Sequence, residues 1–293
     1  MSILEDLKLQ YKIGGVAQKL IFWNIGIFVV TALLQLLYIT EVWSFDCYDL
    51  VALHSDLSYF IKTPWTIFTY MFVHAGFLHL LFNMLVLHFT GRIFTTFFTQ
   101  RQLLGVFILG GLFSGFVFLL SYALLGASSI VVGASGAIMA VMLATATYAP
   151  EMQVRLLLIG NVKLIWIAIV ILFLDLIQLP VSNTGGHLAH LGGALFGYIY
   201  IKSLKGGVDL SKGISKIQDF FENLSTPKKK TPFKTVYKNT TTNKSTANRS
   251  SSTTDKDKSV EQKKIDEILD KISQSGYDSL TKEEKDFLFK VGK

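Results

Sequence analysis

The sequence predicts an all-α polytopic membrane protein: a six-transmembrane-helix bundle with a cytoplasmic tail. Three observations carry that fold class. Of 293 residues, 51% are hydrophobic and 17% charged, where soluble domains run at about a quarter charged. Charge is also segregated: residues 1–200 hold 8 Lys/Arg and 8 Asp/Glu, while residues 201–293 hold 20 and 13 and so carry the whole net charge of +7. Finally, the first two-thirds is divided into uncharged runs of membrane-crossing length. Together these exclude an ordinary cytosolic enzyme. A single cysteine, Cys47, excludes an internal disulfide and a Cys-based zinc or redox pair. The basic excess starts where the last apolar run ends, which is the usual cytoplasmic flank of a span rather than a nucleic-acid signal.

The elements follow in order. After an N-terminal cytoplasmic arm (1–19), residues 20–40 are uncharged for 21 positions, about what a helix rising ~1.5 Å per residue needs to cross ~30 Å of hydrocarbon. No small-residue cleavage site follows, so this is a retained span rather than a signal peptide. Residues 63–91 are also charge-free, and the second span is expected near 74–98. Residues 102–150 run 49 positions without a charge, too long for one helix; the turn-prone stretch 126–133 divides them into spans near 103–125 and 134–149. Pro150 and residues 151–161 form a polar link. The fifth and sixth spans are expected at 162–179 and 186–201.

Orientation follows from the basic residues of the short connections. Lys8, Lys12 and Lys19, then Arg92 and Arg101, then Arg155 and Lys163 fall on one side, against Lys62 alone on the other. Both termini are therefore expected in the cytoplasm, with the chain in the cell (inner) membrane, and the even-numbered spans start at the outer face. The helical domain is bounded at 20–203. The tail divides into a basic linker (204–260), mostly disordered but with a candidate interfacial helix at 210–224, and a small helical hairpin (261–293). Within that hairpin Thr281 and Glu284 form a capping box.

Polar side chains inside spans are costly and therefore informative. Three clusters stand at the outer ends of the even-numbered helices. In His74-x4-His79-x3-Asn83 the last two residues share a helix face; the plain alternative is interhelical hydrogen bonding. In Gly133-x-Ser135-Gly136 the serine lies in a first helical turn, where amide N–H groups lack intrahelical partners. In Ala189-His190-x2-Gly193-x3-Gly197 the glycines lie on the face of His190 and admit close approach by a neighbouring helix, span four being the expected partner. A serine, a base and amide or imidazole donors at one depth are the inventory for acyl transfer. Asp175, near the outer end of span five, is the nearest acidic candidate, and no acidic residue is expected to complete a triad.

In these three motifs, taken in this order and these helices, the sequence resembles the rhomboid intramembrane serine proteases over about residues 20–201. The resemblance implies a catalytic Ser135–His190 dyad. It also implies an oxyanion hole of His79, Asn83 and the Ser135 amide, with His74, Gly133, Gly136, Gly193 and Gly197 in supporting places. It implies transmembrane protein substrates cut near the outer face, and hydrolysis there needs a polar cavity in the outer half of the bundle, expected to be bordered by His74, His79, Asn83 and His187. No cofactor and no metal are expected. Lipid bilayer and substrate are the expected partners, nucleic acid is not, and the terminal hairpin is a candidate dock for a cytoplasmic partner. The chain departs from the common pattern at Thr66 (after Trp65), Thr95 and Met139, positions that bear on loop rigidity and substrate range. Two other readings compete. One is a catalytically inactive rhomboid-like protein that binds membrane clients, whose usual mark is loss of the serine or histidine. The other is a haem or metal protein using His74, His79 and His190, which lacks flanking carboxylates and leaves the glycines around Ser135 unexplained.

Overall fold

A computed structural model describes residues 2–156, 159–225 and 254–291. The chain divides into two compact units, Met1–Lys229 and Lys230–Lys293.

The first unit is mostly helical. Helix α1 (Ile3–Ile13) opens on a capping box between Ser2 and Glu5, and α2 (Val16–Ile39) follows after Gly14 and Gly15. The connection to the next long helix holds three single-turn helices, α3 (Tyr48–Val51), α4 (Leu57–Phe60) and α5 (Thr66–Thr69), and the two-residue strand β1 (Leu53–His54). Then come α6 (Phe77–Phe94), α7 (Gln100–Leu125), strand β2 (Ile130–Val131), α8 (Ser135–Tyr148), α9 (Leu164–Gln178) and α10 (Thr184–Lys205). Helices α2, α6 and α7 are long and apolar enough to cross a membrane, and α8 and α9 are shorter apolar helices. Val30, Leu33 and Leu36 of α2 and Phe173, Leu176 and Ile177 of α9 face outward. Such apolar walls are stable in lipid and not in water, and the chain is a multi-pass membrane protein.

Helix α8 lies at the centre. Every residue from Gly136 to Ala146 is buried, enclosed by α6, α7, α9 and α10. Small residues make this possible. A Cβ added to Gly193 of α10 would collide with the carbonyl oxygen of Gly136, and one on Gly197 with that of Ala140. On the other side, Gly110 of α7 admits the Ala140 methyl, and the Ser114 hydroxyl sits against Gly136 while donating to the Ala189 carbonyl oxygen. With these side chains reduced to hydrogen, the α8 and α10 backbones approach closely enough for dispersion contacts along their length.

The segment before α8 is held from outside the bundle. Strands β1 and β2 pair antiparallel, Leu53 opposite Val131 and His54 opposite Ile130. The Ser55 amide donates to the Ser129 carbonyl at 2.9 Å, and the Gly133 amide to the Tyr70 carbonyl at 2.9 Å. Tyr70 is buried, and its hydroxyl donates to the Gly111 carbonyl at 2.7 Å. The long first connection therefore fixes where α8 starts.

At the other end of the bundle the basic connections gather. The Val16 amide donates to Gln100 Oε1 at 2.7 Å, and a cavity there is lined by Gln10, His88, Arg92 and Thr95. The link between α8 and α9, read from the sequence only as a polar link, is a hairpin of β3 (Gln153–Leu156) and β4 (Gly160–Lys163). Its alternation of Gln153, Val154 and Arg155 has the period of two that a strand requires, and Gly160 supplies a left-handed turn position at φ +85°.

Helix α11 (Lys212–Ser225) covers the expected amphipathic stretch, and it docks on protein. Leu210 and Ile214 pack against the main core, Ser211 sits against Gly105, and Arg101 pairs with Asp219 at 2.8 Å. Asp209 accepts from Ser211, Gln102 and Tyr200. Burial disfavours its charge, but these bonds together outweigh that cost and hold the carboxyl below its usual pKa.

In the second unit α12 (Thr254–Ser275) and α13 (Lys282–Val291) form a hairpin around buried Ile268 and Leu280. The first of these helices starts ahead of the expected position 261. Gly276, at φ +77°, turns the chain; the Thr281 amide donates to Glu284 at 2.7 Å, and Lys271 pairs with the same carboxylate at 2.9 Å. Leu269 and Phe289 are exposed. Most of the linker expected to be disordered (226–253), including Lys228, Lys230, Lys234 and Lys238, lies outside the described residues.

Candidate active site

At the end of the bundle opposite the basic connections is a cavity of about 480 Å³. His79 and Asn83 of α6, Ser135 of α8 and His190 of α10 all line it, with Ile130, Val131 and Val132 on one wall and Asn183 and Gly186 on another. Four residues from three separate stretches of sequence thus meet in one space. The glycine seam between α8 and α10 brings Ser135 and His190 there together.

Ser135 is the first residue of α8, and the preceding cap, Ala134, offers no side-chain acceptor. The amides of that first turn keep their hydrogens free of any helical carbonyl and carry the positive end of the helix dipole. Gly133, at φ +127°, turns the chain into the helix; a Cβ there would lie 2.9 Å from both Cε1 and Nε2 of His79 and 3.6 Å from Ser135 Oγ. The His79 ring therefore lies directly against the turn that presents the serine.

The proton on His79 can be placed. The Ala75 amide donates to its Nδ1 at 3.4 Å, so Nδ1 is an acceptor and the neutral ring carries its hydrogen on Nε2. That is the nitrogen facing Gly133. Asn83 donates one Nδ2 hydrogen to the His79 carbonyl at 2.8 Å, which leaves the second for the cavity.

The sequence placed His74 and His187 around the cavity, and the structure corrects this. Neither lines it. His74 is fully buried behind His79, ring edge to ring face with centroids 5.1 Å apart, and its carbonyl accepts the Tyr48 hydroxyl at 3.0 Å. His187 is buried behind His190, perpendicular to it at 6.0 Å. Met139 lies in a second core cluster with Ile93, Leu164 and Ala168. Thr66 is buried and its hydroxyl donates back to the Thr63 carbonyl at 2.7 Å, and the Thr95 hydroxyl donates back to the Gly91 carbonyl.

A second correction concerns Asp175. It is 5% exposed, and its Oδ1 lies 2.7 Å from His187 Nδ1 and 2.9 Å from His190 Nδ1. An acidic residue does therefore reach the histidine. The sequence shows Asp175 at the right end of its helix, but how far α9 is rotated relative to α10 cannot be read from one chain of letters. Asn183 was also missed; at φ +48° it begins α10 and lies over Gly186 at the cavity wall.

Asp175, His187 and His190 are also the group among the described residues whose ligand atoms, all within 4.8 Å of one another, could hold a metal ion. Two tetrahedral zinc ligands at about 2.1 Å would lie about 3.4 Å apart. The observed 2.7 and 2.9 Å separations are instead those of direct N–H···O bonds to a carboxylate.

The model of the Rhomboid domain matches residues 62–205, and that of a family of unknown function (DUF6576) matches residues 252–290. The chain is similar to Presenilin-associated rhomboid-like protein A, mitochondrial, of Danio rerio, with 33% identity over 138 residues, 44% of this chain and 35% of that protein. The chain thus spans about a third of that relative's length.

Proposed function

We propose, from the premise that this chain belongs to the rhomboid family, that it is an intramembrane serine endopeptidase that cleaves transmembrane segments near the outer face. The observation that carries this reading is the meeting of Ser135, His190, His79 and Asn83 in one cavity.

In the proposed reaction His190 Nε2 takes the Ser135 hydroxyl proton as Oγ attacks a peptide carbonyl carbon. The resulting oxyanion is held by the Ser135 amide, His79 Nε2–H and the free Nδ2–H of Asn83. Such donors, fixed before the charge develops, are worth about 2.7–4 kcal/mol each where measured in other proteases. The C–N bond then breaks and His190 passes its proton to the leaving amine. Water attacks the acyl-enzyme, losing a proton to His190, which returns it to Ser135 as the acyl C–O bond breaks.

The proposed topology has six crossings, α2 and α6–α10, with both termini in the cytoplasm of a cell membrane. It is supported by the gathering of Arg92, Arg101, Gln100 and α11 at one end of the bundle. Helix α8, at 14 residues, is about 21 Å long against ~30 Å of hydrocarbon. One of its ends must lie inside the bilayer plane, and the cavity sits on the serine-bearing end. The proposed substrates are membrane helices that open cheaply near the cut, because an intact helix in lipid keeps its carbonyls hydrogen-bonded.

The test is incubation of purified full-length protein with single-span membrane substrates, alongside Ser135→Ala and His190→Ala and with fluorophosphonate labelling of the serine. Cleavage and labelling are expected in the wild type and lost in both variants with the fold retained. Absence of labelling in folded wild type would instead favour a catalytically inactive client-binding protein.

A further inference from the structure

We propose that Asp175 is a positioning residue for the nucleophilic reaction: by accepting the Nδ1 hydrogen of His190 it holds that ring with the Nε2 lone pair turned to Ser135. The inference rests on the proposed protease reading and adds to it a third member, taken from α9, with His187 as its second ligand.

The geometry is specific. One carboxylate oxygen, Oδ1, accepts from two imidazoles at 2.7 and 2.9 Å, while Oδ2 is buried without a hydrogen-bond partner among the described residues. The carboxylate is thus directed wholly toward the two rings. A buried carboxylate is tolerated only where donors offset its lost hydration, and here the two imidazole N–H groups are those donors. Each ring is constrained in turn. With Nδ1 engaged as donor, a neutral imidazole must leave Nε2 unprotonated, and that is the atom a general base needs. His187, buried and perpendicular to His190, donates to the same Oδ1 at 2.7 Å and so gives the carboxylate a second anchor. The ring is fixed from the α9 side by Asp175, from its own helix by His187, and across the cavity it faces His79 and Ser135. α8 and α9 carry no other charged side chain within their spans. His79 is arranged the opposite way, with Nδ1 accepting and Nε2–H donating. Two histidines of one cavity are therefore held in opposite tautomers, one as base and one as oxyanion donor, each by what sits on its Nδ1.

Asp175→Asn in the full-length protein keeps the shape and removes the charge. kcat is expected to fall by about a hundredfold or more with KM changed less than threefold, as when a carboxylate partner of a catalytic histidine is neutralised elsewhere. A kcat within threefold of wild type in a folded variant would overturn the proposal. A second measurement depends neither on activity nor on the folding of Asp175→Asn. In ¹⁵N-histidine-labelled Ser135→Ala protein at alkaline pH, with His190 assigned by difference against a His190→Gln sample, NMR is expected to show His190 protonated at Nδ1. Protonation at Nε2 would overturn the assignment, as would loss of wild-type cleavage in a chelator and its return with zinc. Should wild type show no Ser135-dependent cleavage, the protease reading fails, while the tautomer measurement still decides what Asp175 does to His190.

Discussion

Replacing Gly133 by alanine tests the turn that brings His79 against Ser135. The new Cβ would stand 2.9 Å from Cε1 and Nε2 of His79, and ordinary contact needs about 3.4 Å, so the ring must retreat by roughly 0.5 Å. The backbone is held at φ +127°, where an L side chain costs on the order of 1–3 kcal/mol. Two effects are thus superposed, lost stability and a displaced His79, the proposed oxyanion donor. Gly126→Ala separates them. It too has a left-handed φ, +64°, but open space around its Cβ and no contact with the cavity. Both variants should melt lower than wild type. Only Gly133→Ala should also lower kcat and the rate of fluorophosphonate labelling, by about tenfold or more, since sub-ångström misplacement of a catalytic group is costly. Equal activity of the two variants at a temperature where both are folded would refute the argument that Gly133 seats His79.

Asn83→Ala should lower kcat by roughly a hundredfold with a smaller change in KM; a change confined to KM in steady-state kinetics would make Asn83 a binding residue. Truncation after Lys229, at the boundary between the two units, should keep proteolysis in detergent within a fewfold of full length. Truncation after Ser203 removes Asp209, Ser211 and α11 from their seats on α7 and α10, and thermal melts should show that shorter form to be less stable. The Asp209 carboxyl, held below its usual pKa, contributes stability present above the unfolded value of about 3.9 and lost as pH falls through the folded value. Acid titration followed by limited proteolysis should therefore release α11 first, and Asp209→Asn should abolish that pH step.

How much of this was legible in the letters differs by element, for physical reasons. Most helices of the bundle announce themselves because a charge inside lipid is so costly that uncharged runs mark their limits, α9 with its Asp175 being the exception. The break at 126–133 is equally plain: α7 ends at Leu125 with Gly126 in the left-handed cap, and α8 starts at Ser135. Strands β1 and β2 have two residues each and carry no usable pattern, so the clamp on the start of α8 is invisible without its partners. The hairpin β3–β4 carries a period-two signal and a turn glycine, but in so short and polar a link these do not stand out from an ordinary loop. Helix α1 likewise had the Ser2–Glu5 box. At the site, the spacing of His79 and Asn83 and the glycines after His190 express helix faces, which one helix alone defines. Asp175 depends on how two helices are rotated against each other, which no single-helix periodicity encodes.

The enclosure of α8 has a consequence for where the chain measures depth. Because its buried residues touch protein on every side, no bilayer thickness acts on its length. It is tied instead at its C-terminal end, where Tyr148 packs at steep angles against Phe97 and Phe98 and Lys205 lies over the same ring. Ser135 is then a fixed distance of about 21 Å from that anchor, and in the proposed topology its distance to the outer surface is whatever thickness remains. In a thinner membrane the serine would stand closer to the outer water, and in a thicker one deeper, nearly ångström for ångström. If the chain is the protease proposed above, the bilayer would in this way act as the ruler that decides which bond of a passing helix is level with the serine, and lipid composition would set the cleavage position with no change in any side chain.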